Sequence, residues 1–122
     1  MAFKLKHVSD VFGFNKEASE YGMTVFEKDD LEPGVNGEAN RDGTVFVKKG
    51  LSQDKINKVV AHEKVHLDQM AQGRLNYDNE TVTWKEKTTS PARVYKRANM
   101  MEGAHDLPWE VEAYKKQHEN LK

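Results

Sequence analysis

His62, Glu63 and His66 form the string H-E-x-x-H inside VVAHEKVHLDQM, residues 59–70. On an α-helix, side chains four apart stand one above the other on one face, so both imidazoles can reach a common ion. Neutral imidazole suits Zn²⁺, and a catalytic zinc takes three protein ligands and leaves a place for water. Glu63, next to the first imidazole, can lean toward that water and act as a general base. The chemistry expected of these residues is hydrolysis by a metal-activated water, with Zn²⁺ as cofactor. A string this short also arises by chance, so it carries weight only with a helix beneath it and a third ligand elsewhere.

The helix is well signalled. Ser52 is placed to cap it and Asp54 puts negative charge in its first turn. Ile56, Val59, Val60, Leu67, Met70 and Ala71 recur at three- and four-residue intervals and form one apolar stripe. No Pro or Gly interrupts residues 51–72, and Gly73 is a natural stop. His62 and His66 fall on the margin of the stripe, where an active-site floor would lie. The competing reading is an amphipathic helix with half-exposed histidines and no metal.

Around this helix the chain alternates strand and loop signals. Residues 22–28, GMTVFEK, read as a strand, and DDLEPGVNGEANRDG as turn and loop. GTVFVKKG, residues 43–50, is the clearest strand, and its open edge could pair with an extended peptide. LNY and TVTWKEK flank Asp78-Asn79 and predict a hairpin. Residues 88–107 are poorly patterned; Arg93, Lys96 and Arg97 there read as a solvated face. Residues 1–20, with Val8, Val11, Phe12 and Phe14, are ambiguous between a short helix and an irregular arm, and His7 reads as a surface residue. Pro108 opens a last helix, PWEVEAYKKQHENLK. Glu110 and Glu112 on that helix are both candidates for the third ligand, but two apart they cannot face the same way.

At 122 residues the chain is long enough for one domain, spanning 1–122 with a core over about 22–120. Charged residues make up 32% with a net charge of −1, which argues against a nucleic-acid partner. Cysteine is absent, so disulfides and Cys-type zinc sites are excluded. The first residues carry no apolar run of secretory type, and no segment has the roughly 18 apolar residues of a membrane span. The expectation is a cytoplasmic protein without membrane contact, association with a virion being compatible with the same features. No feature of the sequence reports the oligomeric state.

AHEKVHLDQ followed by a helix carrying EVEAY resembles the gluzincin branch of the zincin metallopeptidases, in which H-E-x-x-H is followed by E-x-x-A-D on a later helix. The likeness covers about two-thirds of the chain, from the GTVFVKKG strand through both helices. It is similar to the compact zincins of bacteria and their phages. It implies an α+β, minimal zincin-like domain: a small antiparallel or mixed sheet packed on an active-site helix, with a ligand-bearing helix at the C-terminus. It also implies His62, His66 and Glu110 as zinc ligands and Glu63 as base. Tyr114 stands where relatives carry an Asp that orients a metal-bound histidine, and Asp68 and Asp106 are candidate substitutes.

The expected activity is therefore hydrolysis of a peptide or protein substrate, as an endopeptidase, across a wide, shallow cleft. The tetrahedral oxyanion needs a donor besides the metal. Tyr77, Tyr95 and His105 are candidates, with His105 favoured for its place five residues before Glu110. The alternative is a zincin-shaped binding or assembly module with a structural zinc, closed by a fourth ligand such as His105 or Glu112.

Overall fold

Thr44–Lys48 is one of the two inner strands of a mixed sheet in the computed structural model, which describes residues 15–16, 23–31, 34–101 and 104–117. In chain order the elements are β1 (Asn15–Lys16), β2 (Thr24–Lys28), β3 (Gly37–Ala39), β4 (Thr44–Lys48) and α1 (Gln53–Ala71). They are followed by β5 (Leu75–Tyr77), β6 (Thr81–Trp84), β7 (Arg93–Lys96), a 3₁₀ turn (Arg97–Asn99) and α2 (Pro108–Lys116). The strands form a four-stranded sheet of order β1-β2-β4-β3 and a three-stranded sheet of order β5-β6-β7. Only β2 and β4 run parallel; the other neighbours are antiparallel. The fold class is α+β. Among the described residues no helix is long and apolar enough to cross a membrane.

The alternation of β4 decides what covers each face of the first sheet. Val45 and Val47, with Val25 of β2, pack on Ile56, Val59 and Val60 of α1. Phe46 points the other way, onto Leu31, Val35 and Phe26. Each of these buried aliphatic side chains contributes about 1.5–3 kcal/mol relative to exposure. α1 begins where the sequence signals it: Ser52 Oγ accepts from the Lys55 N–H at 3.3 Å. It ends before Gly73, whose φ of 75° is one a side chain would resist. Ala71, expected in the apolar stripe, is exposed in the last turn.

Two strands lie where the sequence reads as loop. Gly37–Ala39 has little β propensity of its own, but its ladder with β4 pairs Gly37 with Val47, Glu38 with Phe46 and Ala39 with Val45. β4 is therefore enclosed between β2 and β3, so GTVFVKKG does not have the open edge expected of it; β3 ends the sheet on that side and is itself fully buried. The second is β7, drawn from the poorly patterned 88–107 stretch and paired with β6. Arg93 and Lys96 on it are exposed, and Arg97 Nη1 donates to the Asp78 carbonyl at 2.8 Å. The β5–β6 hairpin turns where expected, with Asp78 Oδ1 accepting from the Glu80 and Thr81 N–H groups at 2.8 and 2.7 Å. The N-terminal readings at residues 1–14 and 17–20 lie outside the described residues.

A second core joins the three-stranded sheet to α2. Trp84, Leu75 and Val82 surround Trp109, with Ala39 of β3 in the same cluster. Trp109 lies 6.2 Å from Trp84 and 5.1 Å from Tyr95, ring centre to ring centre, the latter edge-on. This anchors the first turn of α2 against α1.

Candidate metal centre

His62, Glu63 and His66 come from the middle of α1, where the helix is held on one side by the first sheet and on the other by α2. All three are fully buried, as is Glu110 in the first turn of α2. The half-exposed histidines of the competing, metal-free reading are not found, and among the described residues the candidate ligands do not line the wide, shallow cleft that was expected. His62 Nε2 and His66 Nε2 are 3.2 Å apart. Glu110 Oε1 lies 2.8 Å from the first and 3.3 Å from the second. Ligand atoms about 2.0–2.1 Å from a tetrahedral Zn²⁺ stand roughly 3.3 Å from one another. The triangle has the size that three ligands of one ion require.

Orphaned atoms point the same way. Neither oxygen of Glu63 has a hydrogen-bond partner, nor does Glu110 Oε2. Buried polar atoms are nearly always paired. Three unpaired carboxylate oxygens beside two imidazoles leave room for what a cation and its water would satisfy. Two carboxylates compete for the third ligand position. Glu63 has an oxygen within 4.8 Å of both imidazole nitrogens, but Glu110 is closer to each, which suits Glu110 to ligation and Glu63 to the place beside it. Glu112, the other candidate, faces away: it pairs with Arg74, Nη2 to Oε2 at 2.5 Å.

The acidities follow from this packing. Burial pushes the Glu63 carboxyl well above the usual carboxylate range, and the negative charges of Glu110 and Glu38 push it further. Burial alone would also raise Glu110. The hydrogen bonds and charge of His62 and His66 outweigh it and hold Glu110 down at about 2. Gly37 of β3 sets the position of Glu63: a Cβ there would lie 2.4 Å from Val59 Cγ1 and 3.0 Å from Glu63 Oε2. The glycine is required by this close approach, not by its backbone angles.

The supports of the imidazoles differ from those expected. Asp68 pairs with Lys64 on the surface at 3.1 Å, and Asp106 is exposed. In their place Gln69 Oε1 meets His66 Nδ1 at 2.9 Å, and Gln117 Oε1 meets His62 Nδ1 at 2.9 Å. A spacing signal exists for both. Gln69 is three residues beyond His66, and Gln117 is two helical turns beyond Glu110, so each shares a face with a ligand. A search for carboxylates passes over them.

His105 is exposed and stacks on Tyr114 at 4.2 Å and 24°. Tyr114 in turn lies against the His62 ring at 4.5 Å. Tyr77 lies beneath Arg41, 4.5 Å from its ring, and Tyr95 packs in the Trp109 core. Of the aromatic candidates for an oxyanion donor, His105 is thus the one connected to the centre, through Tyr114. Burial raises the Tyr114 phenol, and the charges of Glu110 and Glu63 add to this, so the phenol keeps its proton.

The outer edge of β3 runs beside this centre. Its ladder bonds flank the strand, Lys48 N–H to the Asn36 carbonyl and Asn40 N–H to the Thr44 carbonyl, both at 2.9 Å. In an antiparallel ladder successive residues face alternate sides. Gly37 and Ala39 therefore turn their N–H and C=O groups away from β4. A cavity of about 420 Å³ lies beyond the far end of this strand, lined by Asn40, Arg41, Leu67, Met70 and Leu75 among others.

Comparison of the chain with family models, curated proteins and solved structures finds no match.

Proposed function

We propose that this protein is a small zincin-like metallopeptidase of the gluzincin pattern, holding Zn²⁺ by His62, His66 and Glu110 and hydrolysing peptide bonds with Glu63 as base. The observation that carries the reading is the triangle of His62 Nε2, His66 Nε2 and Glu110 Oε1, with sides of 2.8, 3.2 and 3.3 Å. A bound zinc supplies an acidified water and polarises the scissile carbonyl. Glu63 would take the proton of that water and deliver one to the leaving amine; the positive charge of a bound ion would offset the rise that burial imposes on this carboxyl and keep it ionised for the first step. Tyr114, whose ring stands between those of His62 and His105 and whose phenol keeps its proton, is the residue assigned to the oxyanion.

A second reading has specific support. With Glu63 within 4.8 Å of both imidazoles and His62, Glu63, His66 and Glu110 all fully buried, Glu63 can act as a fourth ligand. The zinc would then be structural and the domain a binding or assembly module. His105 and Glu112, the fourth ligands expected from the sequence, are engaged with Tyr114 and Arg74.

Glu63→Gln separates the two. The peptidase reading expects the parent, purified without a histidine tag, to carry one zinc per chain and to cleave members of a fluorogenic peptide library. Glu63→Gln should keep the zinc and lose about 10²–10⁴-fold in rate, the range of a general base. Loss of the zinc with Glu63→Gln supports the structural reading. A parent without zinc removes both.

A further inference from the structure

His66 is held from behind by a chain of hydrogen bonds that runs on into the second sheet. Gln69 Oε1 meets His66 Nδ1 at 2.9 Å. The nitrogen of the same amide donates to the Trp109 carbonyl and to Glu112 Oε1, both at 3.1 Å. Those partners only accept, so the amide has one permitted orientation and turns its oxygen to the ring. An amide oxygen cannot donate, so His66 Nδ1 carries a hydrogen; in the neutral ring Nε2 then presents its lone pair to the centre, whereas only the cationic ring, with a hydrogen on each nitrogen, donates to Glu110.

The carboxylate at the end of the chain is itself fixed. Arg74 Nη1 donates to Glu112 Oε1 at 2.8 Å and Nη2 to Oε2 at 2.5 Å. The guanidinium also donates to the Lys85 and Glu86 carbonyls at 3.2 and 2.8 Å and lies over the Trp84 ring. Gln69 is 1% exposed and Arg74 7%, so water does not compete for these bonds.

We infer that Gln69 is the positioning residue of His66, and that Glu112, clamped by Arg74, sets its direction, so that the β5–β6 sheet determines which nitrogen of a metal ligand faces the ion. The inference rests on the metal reading above. It also gives Glu112 a role other than the ligand the sequence allows.

Gln69→Met keeps the length of the side chain and its helix propensity but removes the acceptor. Zinc affinity, measured by competition with a chromophoric chelator, should fall about 10–100-fold, the usual cost of losing such a partner. Two-bond ¹H–¹⁵N spectra of the metal-free protein at alkaline pH should show His66 protonated at Nδ1 in the parent and as a mixture of tautomers in Gln69→Met. Should that variant not fold, Glu112→Gln is expected to move both readouts the same way by a smaller factor. Equal affinity in parent and variant overturns the inference. So does a loss of affinity with the tautomer unchanged, which would make Gln69 merely structural. A parent that binds no zinc removes the metal reading instead, and its tautomer still reports on the chain.

Discussion

The two helices bring the candidate ligands to one centre but are held in place by different means. α1 has 19 residues, a side-chain cap at Ser52 and a long buried face on the first sheet. α2 has nine, no side-chain cap at Leu107, and Trp109, Glu110 and Ala113 as its buried residues. A helix that short is marginal on its own. Its place is fixed by Trp109 in the second core, by the Arg74–Glu112 pair and by the Gln69 bond to the Trp109 carbonyl. The contrast teaches that a ligand set can be half local and half tertiary. The spacing of His62 and His66 is dictated by one helix, whereas the approach of Glu110 is dictated by tertiary packing of its neighbours Trp109 and Glu112.

Trp109→Ala gives the sharpest test of that contrast. Truncating a buried tryptophan costs about 3–5 kcal/mol, and the loss should fall on α2. Hydrogen exchange should show α2 opening while the α1 amides stay protected, and zinc affinity should fall with the departure of Glu110. Equal loss of protection in both helices would break the comparison, making the molecule one cooperative unit.

Gly37→Ala attacks the opposite side. The new methyl would press on Val59 and Glu63 of α1, and overpacking of this kind costs about 1–3 kcal/mol. Urea denaturation of the metal-free protein should record it. Zinc content should survive, since neither imidazole is touched, while peptide hydrolysis falls with the displacement of Glu63.

The smallest effect concerns acid. Burial alone would raise Glu112, but the hydrogen bonds of Arg74 and Gln69 and the charge of Arg74 outweigh it and lower it. A carboxyl lowered on folding stabilises above the ordinary carboxylate range, and that contribution is lost as pH falls through its folded value. The parent should therefore lose stability on acidification more steeply than Glu112→Gln, with the two converging at low pH. Thermal melts across an acid series would check it, and parallel curves would remove Glu112 from the account of how α2 is held.

What the sequence discloses follows the same division. α1 was legible to its cap and its stop because amphipathic period, Ser52 and Gly73 are local signals. β2, β4 and the β5–β6 hairpin were legible from β-branched runs and Asp78. β3 was not: Gly37-Glu38-Ala39 pairs only because β4 is already there, and its glycine answers a contact with α1 that no local pattern announces. β7 likewise takes its form from β6. Glu110 could be chosen over Glu112 by likeness to a motif, but the reason Glu112 faces elsewhere is Arg74, 38 positions away. Gln69 and Gln117 were passed over because amides are ordinary on helices and acquire their meaning only once the imidazoles are turned toward them.

The convergence of side chains 44 and 48 positions apart has a consequence for folding. An unfolded chain cannot hold those groups together, so an ion seated among them binds the folded state selectively and raises its stability with the logarithm of free ion concentration. In a chain without cysteine, such an ion would be a reversible cross-link between the two cores. Chelation should then lower the melting temperature as well as the rate, with the C-terminal helix first to come away.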